Sequence, residues 1–372
     1  MRATMQIGHC YSDDVHMIAA ADWLLAAQRA GGGGGYAHSF HLLYGWQPPY
    51  PETTGYILPT LLRVHRHTGN ALYRESAARA AKWLMGVQRD DGAFADLQGR
   101  PQVFDTGQIL IGLNDLVECA PDLADIDALR RAAEWLVRVQ ERDGSFVRYA
   151  YNGIPHAYYS RVGAALTVAG RLLGDRVVRD AGIANLRWTL SLQQGNGFFR
   201  RLSFDDTPPF LHTMVYVIEG LLDGYAETND HSFYQAALSF ALMLRAVVEQ
   251  RDIILRSQYY EDYSVANGEK CLTGLAQWAG ISFRLARFSG DDDWNRLGAE
   301  TLTFLKTRQI MSRDRRINGG LLGSAPINGK YMRAAIPNWG QKFFIDALLS
   351  APPNAHPDQA DAVRVPILTR AP

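Results

Sequence analysis

Amphipathic stretches alternate along this chain with stretches that are apolar on nearly every side. The amphipathic stretches mix Arg and Glu with an apolar stripe at helical spacing, which predicts outer helices. They are Asp13 to Ala27, Leu72 to Val87, Ile126 to Val139, Arg176 to Leu192, His231 to Val248 and Asp292 to Thr307. The second set is rich in small residues, which predicts inner helices packed on several sides. It comprises Thr54 to His67, Thr106 to Cys119, Arg161 to Leu173, Thr213 to Ala226, Thr273 to Arg287 and Trp339 to Leu349.

Outer stretches end on a recurring glutamine, and the interval between these glutamines is about 52 to 60 residues. The positions are Gln28, Gln88, Gln140, Gln193 and Gln309, with a weaker match at Gln250. Such a period has room for two helices and their connections. Because one helical hairpin cannot bury its own apolar face, consecutive hairpins must pack side by side.

The two ends of the pattern complement each other. The first outer stretch has no inner helix before it, and the last inner stretch has no outer helix after it. Pairing them closes six hairpins into a ring, so the predicted fold is an all-α (α/α)6 toroid. We expect one domain over residues 1–352 and a Pro- and Ala-rich C-terminal tail over residues 353–372.

Three of the outer glutamines are followed by a tight turn that contains Gly and ends on Phe, as in Gln88 to Phe94, Gln140 to Phe146 and Gln193 to Phe198. Glycine accepts a left-handed turn, and the aromatic ring closes the end of the hairpin. This motif resembles the QW-type repeat of terpenoid-cyclase and prenyltransferase toroids, with Phe in place of Trp. The resemblance implies the same architecture.

Composition excludes several classes of partner. Lys and Arg together number 38, as do Asp and Glu, so no net field favours nucleic acid. No stretch has the length and apolar character of a signal peptide or a transmembrane segment. Cys10, Cys119 and Cys271 form no CxxC pair, which is typical of a reducing compartment. We therefore expect a cytoplasmic protein.

Four polar side chains lie where the long loops lead into inner helices, at one predicted rim of the ring. Glycoside hydrolysis needs two carboxyl groups across a cavity, and Glu52, Asp105 and Glu269 occupy comparable positions. His212 is the favoured base for proton abstraction by a lyase or epimerase. The alternative is structural: Glu52 and Asp105 as helix caps, Glu269 as a brace of the rim, and His212 as a hydrogen-bonded structural histidine.

The same rim carries aromatic, amide and arginine side chains suited to a sugar chain. Sugar rings stack on aromatic faces, and hydroxyl or carboxylate groups take bidentate polar partners. The predicted substrate-binding residues are Trp46, Tyr50, Tyr158, Arg161, Tyr260, Arg333, Asn338 and Trp339. An isoprenoid pocket has few charges, so this mixture favours a glycan.

Whole phrases of the chain are similar to a family encoded in bacterial exopolysaccharide and capsule gene clusters. The phrases are Tyr50 to Tyr56, Phe104 to Gln108, His212-Thr213 with Glu219 to Leu222, Cys271 to Gly274 with Gln277, and Pro337 to Trp339 with Lys342 to Phe344. The resemblance implies a role in surface polysaccharide metabolism. The implied partner is a polysaccharide or a lipid-linked oligosaccharide.

The sequence predicts neither a metal nor a cofactor. It contains no HxxxH or HExxH pair, and the DxDD and DDxxD motifs of isoprenoid cyclases and synthases are missing. Gly31 to Gly35 lacks the Lys-Ser/Thr of a phosphate-binding loop, so we interpret it as a flexible connection.

The leading hypothesis is a glycan hydrolase that uses acid/base residues in the central cavity. The alternatives are a uronate lyase or epimerase, a non-catalytic glycan-binding assembly factor, and an isoprenoid enzyme.

Overall fold

The computed structural model describes residue 8, residues 10–251 and residues 254–353. The predicted tail therefore lies outside the described residues except for its first position. The described part contains twelve α-helices. They are α1 (Asp13–Ala30), α2 (Pro51–Thr68), α3 (Ala71–Val87), α4 (Val103–Cys119), α5 (Ile126–Val139), α6 (Ser160–Leu173), α7 (Arg176–Leu190), α8 (Leu211–Thr228), α9 (His231–Arg251), α10 (Leu272–Ser289), α11 (Asp292–Lys306) and α12 (Asn338–Ser350).

The even-numbered helices form a closed inner ring. Each contacts the next in chain order, and α12 returns to contact α2. The odd-numbered helices α3, α5, α7, α9 and α11 each pack on the inner helix that precedes them, while α1 packs on α12. The predicted (α/α)6 toroid, closed by the N-terminal helix and the last inner helix, is confirmed.

Small residues let neighbouring inner helices approach closely. A Cβ atom on Gly55 of α2 would lie 2.5 Å from the Cα atom of Ile109 in α4. On the facing helix, a Cβ atom on Gly112 would lie 2.1 Å from the carbonyl oxygen of Gly55. These backbones touch because neither glycine has a side chain, which explains the small residues in the inner stretches.

The recurring glutamine joins one outer helix to the next. The side-chain amide of Gln140 donates to the carbonyl of Gly144, in its own turn, at 3.1 Å and to that of Ala181, in α7, at 2.9 Å. Gln28, Gln88, Gln193 and Gln309 make equivalent pairs of bonds. Gln309 reaches the carbonyl of His16 in α1, so the repeated bond also closes the outer ring. Gln250 is exposed, in keeping with its weaker match.

The last two glycines of the run after α1 are packed, unlike the flexible connection expected for the whole run, whereas Gly32 and Gly33 have no atom within 4 Å of their Cβ positions. Cβ atoms on Gly34 and Gly35 would lie 2.6 and 2.5 Å from atoms of the Trp83 indole. The absence of side chains lets this segment lie flat against the indole on α3.

Short strands border the rim at which the inner helices begin. They are β1 (Ser39–His41), β2 (Gly45–Trp46), β3 (Gln258–Tyr259), β4 (Val265–Asn267), β5 (Lys270–Cys271), β6 (Ser324–Ala325) and β7 (Ala335–Pro337). All pairings are antiparallel, in the sheets β2-β1-β7, β3-β4 and β5-β6. Phe40 in β1 faces Ile336 in β7, which links the first long loop to the last.

The helices of the described part include none that is both long and apolar enough to span a bilayer. Within the same residues, no group of three or more His, Cys, Asp or Glu side chains is arranged to hold a metal ion.

Candidate functional site

A cavity of about 410 Å³ opens where the inner helices begin. Its volume lies within the range of small-molecule sites. Its lining includes His38, Tyr50, Glu52, Tyr56, Arg100, Phe104, Asp105, Tyr158, His212, Tyr216, Tyr331 and Trp339. They come from α2, α4, α8, α12 and the rim loops, so the closed ring brings distant segments together.

Two carboxyl groups lie in this cavity on neighbouring inner helices. Glu52 is the second residue of α2, and Asp105 is the third residue of α4. Both helices begin earlier than the sequence indicated, and their N-caps are Tyr50 and Gln102 without side-chain cap bonds. Neither carboxyl group therefore belongs to an N-cap residue, and both line the cavity.

Burial raises the pKa of both carboxyl groups. The pKa of Glu52 is well above its ordinary value because of burial and the charge of Asp105, while Arg161 and Tyr56 oppose the shift. Burial raises the pKa of Asp105 to about 7, although a hydrogen bond from Tyr50 lowers it. The Tyr50 hydroxyl donates to Asp105 Oδ2 at 2.7 Å. The Tyr50 hydrogen bond therefore favours the ionised form of Asp105, whereas the charge of Asp105 favours the protonated form of Glu52.

Two histidines in the cavity are neutral at physiological pH. Burial lowers the pKa of His38 to about 4. Burial also lowers the pKa of His212 to about 3, with a contribution from the positive charge of Arg161. His212 Nδ1 lies 2.6 Å from the Oε1 atom of Gln277. A neutral imidazole offers one ring nitrogen as an acceptor.

Aromatic rings form most of the cavity wall. Phe104 packs edge-to-face on Tyr158, with ring centroids 5.1 Å apart, and Trp339 donates to the Tyr331 hydroxyl at 2.8 Å. Sugar C–H faces pack well on such rings. Arg100 is the only permanently cationic side chain among the described lining residues. It is exposed and pairs with Asp96 at 2.8 Å.

A second cavity, of about 510 Å³, opens at the opposite end of the ring. Ion pairs surround it, including Arg284 with Asp223 at 2.7 Å. Tyr56 borders both cavities, and Phe343 stacks on Tyr56 with centroids 5.9 Å apart. The two cavities are therefore back to back along the axis of the ring.

Six of the predicted site residues line the first cavity. They are Tyr50, Glu52, Asp105, Tyr158, His212 and Trp339. Arg161 borders the second cavity, where it pairs with Glu219. Asn338 is buried and donates to Ala37 and Thr53, so it ties the start of α12 to the first loop and to α2.

Four predicted residues lie away from the cavity. Glu269 Oε2 accepts from the backbone of Lys330 at 2.8 Å and braces the rim. Trp46 packs on Trp23 with centroids 5.1 Å apart. Tyr260 and Arg333 are exposed on rim loops. Glu269, Trp46, Tyr260 and Arg333 are therefore not part of the proposed site.

The sequence reasoning missed two tyrosines that form the cavity floor, Tyr56 and Tyr216. Each lies four residues after a predicted rim residue, Glu52 and His212 respectively. Residues four apart share one face of a helix. Both tyrosines could have been predicted by looking one helical turn after each rim residue.

Solved structures of other proteins share this architecture. An unsaturated glucuronyl hydrolase specific for heparin superposes with a TM-score of 0.71 at 14% identity, over 91% of this chain and 96% of that chain. An unsaturated glucuronyl hydrolase from Bacillus sp. GL1 gives a TM-score of 0.69 at 17% identity, with the same coverage of both chains. The cellobiose 2-epimerase of Bacillus thermoamylovorans B4167 gives a TM-score of 0.67 at 12% identity, over 90% and 99% of the two chains.

No protein-family model and no curated protein matches the chain. At these identities, likeness in structure establishes a shared fold, and function is argued from the site. The chain has the α/α-toroid fold of these sugar-processing enzymes.

Proposed function

We propose that this protein is a glycan hydrolase that acts on a bacterial surface polysaccharide or its lipid-linked precursor. The observation that carries the proposal is the pair of carboxyl groups, Glu52 and Asp105, in one aromatic-lined cavity. Hydrolysis of a glycosidic bond uses one protonated and one ionised carboxyl group. The surface-polysaccharide context comes from the sequence resemblance alone.

The two carboxyl groups receive different roles from their surroundings. The charge of Asp105 favours the protonated form of Glu52, so Glu52 protonates the leaving oxygen of the glycosidic bond as general acid. Asp105 is kept closer to its ionised form by the Tyr50 hydroxyl, so it acts as the base or stabilises the developing positive charge. The aromatic wall holds the sugar rings between them.

The composition of the cavity weighs against two alternatives. An isoprenoid pocket would be apolar, whereas Glu52 and Asp105 line this one. A site that only binds glycan has no need for two carboxyl groups with raised pKa values, which cluster at catalytic sites. Similar structures include hydrolases that act on glycans with unsaturated glucuronyl groups, which supports the hydrolase assignment.

Sugar epimerisation is the second candidate, because a neutral histidine shares the cavity. His212 has one ring nitrogen available as a proton acceptor, and an epimerase needs a base for the carbon-bound proton. The likeness to cellobiose 2-epimerase also supports this candidate. A uronate lyase is less well supported, since Arg100 is already paired with Asp96 and an enolate-like charge needs a cation.

The test uses the purified full chain with neutral and uronic acid-containing oligosaccharides. Hydrolysis releases new reducing ends without unsaturation, and elimination releases new reducing ends together with an unsaturated uronate. Epimerisation changes sugar configuration without changing mass. We expect new reducing ends without unsaturation. Glu52→Gln and Asp105→Asn should each lower turnover by at least about 100-fold, because each removes an acid/base group.

Glu269→Gln is the matched control, because it removes a rim carboxylate outside the cavity. We expect its turnover to stay within about threefold of wild type, as for a surface change. Undiminished turnover in both cavity variants would contradict the hydrolase proposal. Equal turnover losses in all three variants would show that the cavity carboxyl groups have no special role.

A further inference from the structure

A buried chain of hydrogen bonds runs from His212 to the layer between the two cavities. His212 Nδ1 lies 2.6 Å from Gln277 Oε1, and the Gln277 amide lies 3.3 Å from Glu219 Oε2. The same Glu219 oxygen accepts from Arg161, whose Nε donates to Gln108 at 2.8 Å. The chain crosses α8, α10, α6 and α4, so four inner helices hold it in place.

The direction of the Gln277 amide is fixed by its neighbours. Arginine only donates, so the Glu219 Oε2 atom that Arg161 binds is an acceptor, and the charge of Arg161 favours the ionised carboxylate, which has no proton to donate to Gln277. The Gln277 group facing that oxygen must therefore be the NH₂ group. The other end of the amide, the carbonyl oxygen, then faces His212 Nδ1 and can only accept.

This order determines the tautomer of His212. Nδ1 must carry the proton that it donates to Gln277, and a neutral imidazole has only one N–H. Nε2 is then the unprotonated nitrogen. No described residue forms a hydrogen bond with Nε2, and the ring borders the first cavity.

We infer that Gln277 is a positioning residue, which holds His212 in the Nδ1–H tautomer so that Nε2 accepts a hydrogen bond from a ligand hydroxyl. The sugar hydroxyl as donor rests on the proposed function. The tautomer itself follows from Arg161, Glu219 and Gln277 alone. At Nε2 the site therefore favours a ligand group that donates a hydrogen bond and disfavours an ether oxygen or a carboxylate, which can only accept one.

Two substitutions separate positioning from simple packing. Gln277→Met keeps the length of the side chain and removes both polar atoms, so His212 is free to exchange tautomers. Gln277→Glu keeps an oxygen acceptor facing Nδ1, so it retains the tautomer even though it adds an acid beside Glu219. If Gln277 had a purely structural role, Gln277→Met would be less damaging than Gln277→Glu, because an apolar side chain suits a buried position better than a second acid.

The readout is the nitrogen chemical shifts of the histidine side chains in the full chain, with His212 assigned from its loss in His212→Gln. We expect Nδ1 protonated and Nε2 unprotonated in wild type and Gln277→Glu, and mixed tautomers in Gln277→Met. His16 is the internal reference: its Nδ1 lies 2.5 Å from Gln309 Oε1, and its Nε2 accepts from the Tyr11 backbone at 3.0 Å. Its signals should stay constant in all variants.

Activity supplies the second readout. Gln277→Met should lower kcat/KM by about tenfold, the effect of one hydrogen bond, and Gln277→Glu should restore most of it. A protonated Nε2 in wild type, or an unchanged tautomer in Gln277→Met, would overturn the inference. If the tautomers are as expected but the Glu52→Gln enzyme is fully active, only the hydrolase proposal is contradicted. Failure of the tautomer inference and failure of the hydrolase proposal can therefore be distinguished.

Discussion

One hydroxyl group controls how the proton is divided between the two cavity carboxyl groups. Tyr50 donates to Asp105 at 2.7 Å and lowers the pKa of Asp105, while Glu52 keeps its strongly raised pKa. Because the proposed hydrolysis needs Asp105 ionised and Glu52 protonated, we expect a bell-shaped pH profile. Turnover should fall as the pH drops below about 7, where Asp105 takes up a proton.

Replacing Tyr50 tests this division. Tyr50→Phe removes the hydrogen bond that lowers the pKa of Asp105, so that pKa should rise. The acidic limb of the profile should move up by about one pH unit, the effect of one hydrogen bond to a charged group. The profile of kcat/KM against pH is the measurement. Tyr260→Phe is the control, since Tyr260 is exposed and outside the cavity, and an equal shift in both variants would contradict the prediction.

Residue type and local position predicted three of the residues that line the candidate site. Glu52, Asp105 and His212 stand at the starts of inner helices, and all three line one cavity. Glu269 has the same kind of position in the sequence, but its carboxylate turns into a bonded rim loop. The direction in which a loop side chain points depends on contacts with distant segments, which spacing alone does not reveal.

The repeat of helical hairpins reflects one hydrogen-bonding unit. Five of the six recurring glutamines bind the carbonyl of a turn glycine and a carbonyl of the next outer helix, so the period in the sequence is the period of this pair of bonds. Helix α2 began earlier than predicted because Pro51, at its first position, already has the backbone angle of a helix.

A matched pair of glutamines tests the unit. Gln140→Met removes two hydrogen bonds and leaves the carbonyls of Gly144 and Ala181 without this donor. It should lower the free energy of unfolding by about 1–3 kcal/mol. Gln250→Met removes the exposed counterpart and should change that energy by less than about 0.5 kcal/mol. Urea unfolding monitored by circular dichroism measures both, and equal effects would refute a role for the repeated bond.

Closure of the ring is a property of the whole molecule. Gly319 lies in the loop between α11 and α12, and a Cβ atom there would lie 1.9 Å from the carbonyl oxygen of Ala19 in α1. Gly319 has a φ of +80°, and Gly290 has a φ of +71° with nothing within 4 Å of its Cβ position. Both glycines therefore need a left-handed backbone, but only Gly319 makes the close contact with α1 that joins the two ends of the chain.

Alanine substitutions at both positions separate the cost of the left-handed backbone from the effect of the contact with α1. The left-handed backbone costs about 1–2 kcal/mol for a residue with a side chain, and this cost is common to Gly319→Ala and Gly290→Ala. The overpacking against α1 should make Gly319→Ala less stable by a further 1–3 kcal/mol or so. Unfolding midpoints in urea give the difference. Equal destabilisation of the two variants would mean that the contact with α1 contributes nothing.

The sequence by itself determined the helices, the number of hairpins and the way the ends meet, because periodicity and paired apolar faces are local properties that leave one closed arrangement. It also determined which rim positions carry acids and histidine. Tertiary structure alone decided which of those side chains meet. Glu52 and Asp105 influence each other because α2 packs on α4, and Gln277 lies beside His212 because α8 packs on α10. In these packed contacts burial and neighbouring dipoles, rather than residue type, set the protonation of each group.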